Sequence, residues 1–437
     1  MTNYAAFLAS KRRAFQGDGV SCASVPSMLY PWQAAIVRWA LMKGRAAIFA
    51  DCGLGKTFMQ VAWAKALDTP VLILAPLCVA EQTVKEAAKL GITVRYALNQ
   101  HDAGDAPLVI TNYERMEKFA PSAFGGVVLD ESSILKSFDG ATRTKLIETF
   151  AQTRYRLCCT ATPSPNDLAE LGNHAEFLGL MTRAEFLATW FIKVDQGLRT
   201  TEHHGWRMKR HAVEPFYRWM ASWAVALRSP ADIGGDDTGY VLPPLRIHDA
   251  VVEGNAPTGA LFAELGVKGL SGRLTARRGS IGPRVEHAAA LVSRPGQWVV
   301  WCGLNAESQA VARAVPDAVE VTGADTYAEK AGAIEGFLRG DIRVLVSKGA
   351  ILGFGLNFQH CHQMVFLGLS DSYEMYYQCI RRMWRFGQQY PVDAHVVVSA
   401  AERFVVENVR AKERRAESLS ANLLRHMAPF EREEFAA

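Results

Sequence analysis

Two short stretches hold residue types suited to phosphate chemistry. The run Ala50-Asp51-Cys52-Gly53-Leu54-Gly55-Lys56-Thr57 follows the apolar stretch AAIFA (46–50) and leads into a helical pattern over 56–67. A Gly-rich turn between a strand and a helix N-terminus points backbone N–H groups at an anion, and the helix dipole favours the negative charge. In such a turn Lys56 reaches the β- and γ-phosphates and Thr57 offers its hydroxyl to Mg²⁺. Ala50 stands in place of the usual first glycine, so the strict pattern is not met and a plain structural turn is the alternative. The second stretch, Asp130-Glu131-Ser132-Ser133, closes the apolar run GVVLD. There one carboxylate can hold Mg²⁺ and the next can orient or deprotonate an attacking water. Taken alone, it reads equally as a solvated acidic loop end.

These residues need a scaffold, and the hydrophobic pattern supplies one. Apolar runs at 46–50, 71–75, 108–112, 126–130 and 155–161 alternate with helical stretches at 32–43, 56–67 and 79–90. Continuous apolar strands separated by helices of that length predict a parallel sheet covered on both faces. Both phosphate stretches then fall at C-terminal strand ends, where open α/β sheets place their ligands. Residues 166–228 are rich in Leu, Phe and Trp and read as a helical insertion without a strand. The stretch 229–246 is dense in Gly, Asp and Pro and reads as a linker. Strands resume at 298–302, 318–323, 343–347, 363–369 and 394–398, and a charged helix is expected over 401–424. The domains expected are 1–165, 166–241 and 242–437.

Composition bounds the function. Of 437 residues, 49% are hydrophobic and 21% charged, which excludes global disorder. The net charge is only +4, so a polyanion must be held by local patches. The eight cysteines include no C-x-x-C pair, which suggests neither a zinc ribbon nor a disulfide framework and suits a reducing compartment. The longest apolar runs are far too short to span a bilayer. The charges of MTNYAAFLASKRR follow the apolar stretch, the reverse of a secretory signal. A soluble, cytoplasmic chain with no membrane partner is expected.

In order, the motifs resemble helicase superfamily two, most of all the Swi/Snf-type DNA translocase ATPases, including short versions carried by phages. Leu29-Tyr30-Pro31-Trp32-Gln33 resembles the adenine-reading segment, with Gln33 at the glutamine position. Residues 49–57 resemble the phosphate loop, with Gly53, Gly55, Lys56 and Thr57 as nucleotide contacts. Ala75-Pro76-Leu77 and Thr111-Asn112-Tyr113-Glu114 match strand-end motifs that touch a nucleic-acid backbone, which implicates Pro76, Thr111 and Asn112. Asp130-Glu131-Ser132-Ser133 stands where DEAD or DEAH boxes stand, without the usual Ala-His ending. Thr160-Ala161-Thr162-Pro163 resembles the motif linking hydrolysis to movement. Gly353-Phe354-Gly355-Leu356-Asn357 resembles the glycine-rich motif before the last catalytic helix. The run Gln378 to Gln388 keeps the family spacing Q-x3-R-x2-R-x-G-Q, which implies that Arg382 and Arg385 are arginine fingers.

The resemblance implies an α/β fold of two RecA-like parallel-sheet P-loop lobes, with the helical insertion between them. It implies ATP and Mg²⁺ as cofactors, with Lys56, Asp130, Glu131, Arg382 and Arg385 catalytic. Thr57 and Asp130 would hold Mg²⁺, and Gln378 would join the nucleotide contacts. Thr160, Thr162, Gly353 and Gly355 would couple hydrolysis to movement along DNA, with duplex DNA expected ahead of single strands and RNA. Residues 268–284 carry five basic side chains and no acidic one; Lys268, Arg273, Arg277 and Arg278 are expected on phosphates. Arg207, Lys209 and Arg210 beside Trp206 form a second candidate patch, and a solvated face is the alternative for both. Nothing encodes base-edge readout, and no protein partner is implied. The rival readings are a strand-separating DNA or RNA helicase, an ATP-gated nucleic-acid clamp with little turnover, and an ATPase acting only on protein. Trp384 reads as core packing, Cys158 and Cys159 as small fillers of a buried strand, and His360-Cys361-His362 lacks remote partners for a metal.

Overall fold

The computed structural model describes residues 14–21, 24–76, 79–136, 140–194, 205–253, 277–353 and 356–436. These divide into two compact units, one within Met1–Thr238 and Arg415–Ala437, the other within Gly239–Arg414. Residues 166–238 and those from Arg415 onward group with the first unit.

The first unit is built on strands β1 (Arg45–Ala50), β2 (Val71–Ala75), β3 (Arg95–Tyr96), β4 (Leu108–Asn112), β5 (Gly126–Asp130) and β6 (Tyr155–Cys159). Every residue of β2, β4, β5 and β6 is buried, as expected of strands covered on both faces. The helix Pro31–Lys43 starts with proline at its first position and ends at Gly44, which takes φ 68°. This is the usual asymmetry of helix ends: proline has no N–H to waste there, and glycine accepts the left-handed turn.

The stretch expected to be purely helical contains the helices Leu171–Phe177, Arg183–Trp190 and Val213–Ala221 and also three short strands. β7 (Phe191–Lys193) and β8 (Trp206–Met208) form an antiparallel pair. β9 (Ala224–Leu227) pairs in parallel with β1 and completes a seven-stranded sheet of order β3-β4-β2-β5-β6-β1-β9, parallel throughout. A fully buried run of four apolar residues carries no periodicity, so the sequence offers no means of telling this strand from the end of a helix.

The second unit holds β10 (Leu245–Val252), β11 (Trp298–Cys302), β12 (Ala318–Val321), β13 (Val344–Lys348), β14 (Gln363–Leu367) and β15 (Val392–Ser399). Their order is β10-β15-β14-β11-β13-β12, again parallel throughout. β10 escaped the sequence reading because it is an edge strand with no fully buried residue and begins inside the Pro-rich stretch. The last helix, expected to end near 424, runs Arg403–Ala436 with Pro429 inside it. Buried Leu423, Met427 and Glu431 flank that proline and anchor the helix in the first unit. Among the described residues no helix is long and apolar enough to cross a membrane.

Candidate active site

The centre of the first sheet, β5-β6-β1, brings three strand ends side by side. After β1 the chain turns through Gly53 (φ 89°) and Gly55 (φ 73°), and Lys56 opens the helix Lys56–Ala66. Both glycines sit in left-handed backbone that a side chain would strain. At Gly55 a Cβ would also lie 2.4 Å from Gln33 Nε2. That amide donates to the Leu54 carbonyl (3.1 Å), and Gln33 Oε1 accepts from the Tyr30 N–H (3.0 Å). Gln33 therefore joins the segment before the first helix to the loop. Lys56 Nζ donates to the Ala50 carbonyl (2.8 Å) and the Asp51 carbonyl (3.2 Å), inside the turn its own backbone makes. Thr57 follows, half-buried, in the first helical turn.

Asp130 closes β5 and is 5% exposed. Gln60 Nε2 donates to its Oδ1 (2.7 Å), and the Tyr113 hydroxyl donates to its backbone carbonyl (2.7 Å). Burial raises the Asp130 carboxyl to about 7, helped by the charge of Glu131 and opposed by Gln60 and Lys56. Glu131 takes φ 54°, alone among the described non-glycine residues in having a positive φ. A side chain in that region is strained and persists when its surroundings hold it. Thr160, just beyond β6, donates from Oγ1 to Glu131 Oε2 (3.2 Å), and the Thr162 N–H donates to Thr160 Oγ1 (3.1 Å). Lys56, Thr57, Asp130, Glu131, Thr160 and Thr162 thus share one region of one unit.

Comparison with known families matches segments in both halves of the chain. The SNF2-related domain family matches residues 32–211, and the helicase conserved C-terminal domain matches residues 287–387. The chain belongs to the Swi/Snf-type helicases of superfamily two. This Swi/Snf-type protein is accordingly an ATP-hydrolysing helicase or translocase, and ATP is its nucleotide. No curated protein matches it. Among solved structures it is similar to the "Sulfolobus solfataricus SWI2/SNF2 ATPase core in complex with dsDNA", at 16% identity and a TM-score of 0.43, covering 86% of this chain and 88% of that one.

Other residues singled out in this Swi/Snf-type chain lie in varied settings. Pro76 follows β2, while Thr111 and Asn112 at the end of β4 are fully buried. Thr111 Oγ1 and Asn112 Oδ1 have no hydrogen-bond partner among the described residues. As placed, neither shows a surface to a phosphate. In the second unit Arg382 is 5% exposed and donates to Gln378 Oε1 (2.8 Å), the Gln378 carbonyl (3.0 Å) and the Leu356 carbonyl (3.0 Å). Arg385 donates to the same Leu356 carbonyl (3.2 Å). Gln378 is fully buried and supports an arginine. Trp384 donates from Nε1 to the Pro243 carbonyl (2.7 Å), an internal tie in keeping with the packing role. Gly353 has no room for a side chain, since a Cβ would lie 2.2 Å from the Gly349 carbonyl oxygen. Gly355, Lys268 and Arg273 lie outside the described residues.

Arg277 and Arg278, neighbours in sequence, part company in space. Arg278 is exposed. Arg277 instead donates to both carboxylate oxygens of Glu307 (2.7 and 3.0 Å) and to the Leu367 and Leu369 carbonyls. Glu307 also pairs with Arg284 (2.8 Å), itself fully buried, and hydrogen bonds from Arg277 hold its carboxyl below the usual range despite burial. For Arg277 the phosphate-contact expectation gives way to an internal ion-pair knot. In the second patch Arg207 is exposed, whereas Lys209 donates to the Ala188 carbonyl (2.6 Å). Cys158 and Cys159 are fully buried in β6, as fillers should be. Cys361 is buried with its thiol raised to about 12, held against the Gln297 carbonyl.

The sequence reading missed Gln60 and Tyr113. Gln60 lies one helical turn after Lys56 on the same face, so the i, i+4 spacing carried a signal. Tyr113 lies within the motif 111–114 named above, where it is given no role of its own.

Proposed function

We propose that this protein couples Mg-ATP hydrolysis to movement along DNA, duplex DNA ahead of single strands or RNA, with little sequence specificity. The observation that carries the reading is the strained Glu131, held by Thr160 next to Asp130 and the phosphate loop. In this reading Lys56 binds the β- and γ-phosphates and Gln33 reads the adenine. Glu131 orients the attacking water and accepts its proton. The chain Glu131–Thr160–Thr162 carries the state of the nucleotide to the loop after β6. Arg382 and Arg385 supply positive charge against the charge developing on the γ-phosphate.

The residues present suit Mg²⁺. The Thr57 hydroxyl and the Asp130 carboxylate are hard oxygen donors, as that ion requires. A buried carboxyl whose charge is disfavoured by burial and by Glu131 is stabilised by a cation nearby. Mg²⁺ supplies charge that neutralises phosphate oxygens.

For the track, support comes from exposed Arg278 and from the absence of any recognised base-reading motif. The test is ATP hydrolysis measured without polynucleotide and then with single-stranded DNA, duplex DNA and RNA in parallel. Strong stimulation by duplex DNA is the expected result. Stimulation only by single strands or RNA points to a strand-separating helicase, and tight ATP-dependent DNA binding with little turnover points to a clamp.

A further inference from the structure

The turn that carries Glu131 into the rest of the unit is pinned by a helix that the nucleotide chemistry does not otherwise use. After Glu131 the chain makes a short 3₁₀ turn, Ser132–Lys136. The helix Leu171–Phe177 presents two consecutive side chains to it. Asn173 Nδ2 donates to the Leu135 carbonyl at 2.7 Å, near the end of the turn. His174 Nε2 lies 3.2 Å from Ser132 Oγ, at its beginning. His174, Asn173 and Ser132 are all completely buried. The edge of the imidazole also meets Phe49, with ring centroids 5.3 Å apart and planes at 82°. Phe49 is the penultimate residue of β1, immediately before the phosphate loop. One ring therefore touches both chain segments that lead into the nucleotide residues.

We infer that His174 is a positioning residue for ATP hydrolysis, holding the Ser132 hydroxyl so that Glu131 stays in its left-handed conformation and aimed at water. The inference rests on the reading of Glu131 as the residue that acts on water. The physical case is one of strain. A non-glycine residue at φ 54° relaxes unless both of its flanks are fixed. β5 fixes the flank at Asp130, through Gln60 and Tyr113. The Ser132–His174 contact fixes the other. Burial keeps the imidazole pushed down to about 4, so it is neutral at physiological pH and brings no charge to the carboxylates. A neutral ring has one donor and one acceptor nitrogen, and a serine hydroxyl can serve either, so the pair forms with either tautomer.

The test is a set of variants assayed for kcat, KM for ATP and ADP affinity. His174→Phe keeps the bulk and removes the hydrogen bond; it should lower kcat about 10- to 100-fold while KM and ADP affinity move by no more than about 2-fold. His174→Gln, which can place an amide near the lost Nε2, should recover most of kcat. Ser132→Ala removes the same contact from the other side without disturbing the packing, and it should match His174→Phe. The double variant should then be no worse than either single one. Parental kcat in both Ser132→Ala and His174→Phe, with Glu131→Gln inactive, overturns the positioning role and leaves the Glu131 reading standing. Additive losses in the double variant also overturn it. Parental hydrolysis in Glu131→Gln removes the Glu131 reading and this inference together.

Discussion

The Gln60 side-chain amide donates to Asp130 Oδ1 at 2.7 Å, so the helix that begins at Lys56 also holds the carboxylate at the end of β5. Both groups are buried, at 1% and 5% exposure. A single helix thereby sets the distance between the residues proposed to bind phosphate and the residue proposed to bind its cation.

Gln60→Leu keeps the volume and removes that donor. Loss of a hydrogen bond to a charged group, about 1.5–3 kcal/mol, corresponds to roughly a 10- to 100-fold fall in hydrolysis if Asp130 must stay ionised and in place. Steady-state ATP hydrolysis at saturating Mg²⁺ measures it. An unchanged rate would mean that Asp130 keeps its position without Gln60.

In the proposed reading Glu131 exchanges stability for function. Glu131→Gly removes a strained backbone, a gain of about 1–3 kcal/mol that is partly offset by glycine's greater freedom when unfolded. The variant should melt at or above the parental temperature and hydrolyse no ATP. Calorimetry and a hydrolysis assay on the same preparation check both halves. A lower melting temperature would show that Thr160 and the carboxylate hold the turn more than the strain opposes it.

Arg277 and Arg278 should fail in different ways. Arg277→Ala leaves the buried Glu307 with one arginine fewer and should lower the stability of the second unit by roughly 3–5 kcal/mol, seen in a urea melt. Arg278→Ala should leave stability within about 0.5 kcal/mol. If Arg278 meets a phosphate, that variant should lower the slope of log DNA affinity against log salt by about 1. Equal salt slopes for parent and Arg278→Ala would take Arg278 out of the DNA contact.

Glu431 gives the first unit a pH dependence. Its Oε1 accepts from the Ala226 N–H (2.7 Å), on the edge of β9 facing away from β1, and burial raises its carboxyl to about 8. The folded protein keeps this proton where the unfolded chain, with an ordinary carboxyl near 4.5, has lost it. Stability from this group is therefore full below about pH 4.5 and falls as pH rises through 8. Glu431→Gln should raise the melting temperature more at pH 8 than at pH 5. Buried His174 acts in the opposite sense: its contribution is present above 6.5 and is lost as pH falls toward 4. Equal effects of Glu431→Gln at both pH values would show that the carboxyl is ionised in the folded protein.

By itself the sequence determined the alternation of buried strands and helices, because a strand covered on both faces must be continuously apolar wherever it occurs. It also determined the turn before Lys56: Gly53 and Gly55 hold positive φ there because their chemistry and spacing are local. Tertiary structure alone decided what depends on residues distant in the chain. That Ala224–Leu227 joins the first sheet is settled by its pairing with β1, some 180 positions earlier, and no periodicity in four apolar residues foretells it. That Arg277 turns inward while Arg278 stays exposed is settled by Glu307, which folding buries beside it and which needs a cation to offset its desolvation. The contact of Ser132 with His174, 42 residues on, has the same origin. A motif lists the groups available for chemistry; the packing of remote helices decides which of them are held still.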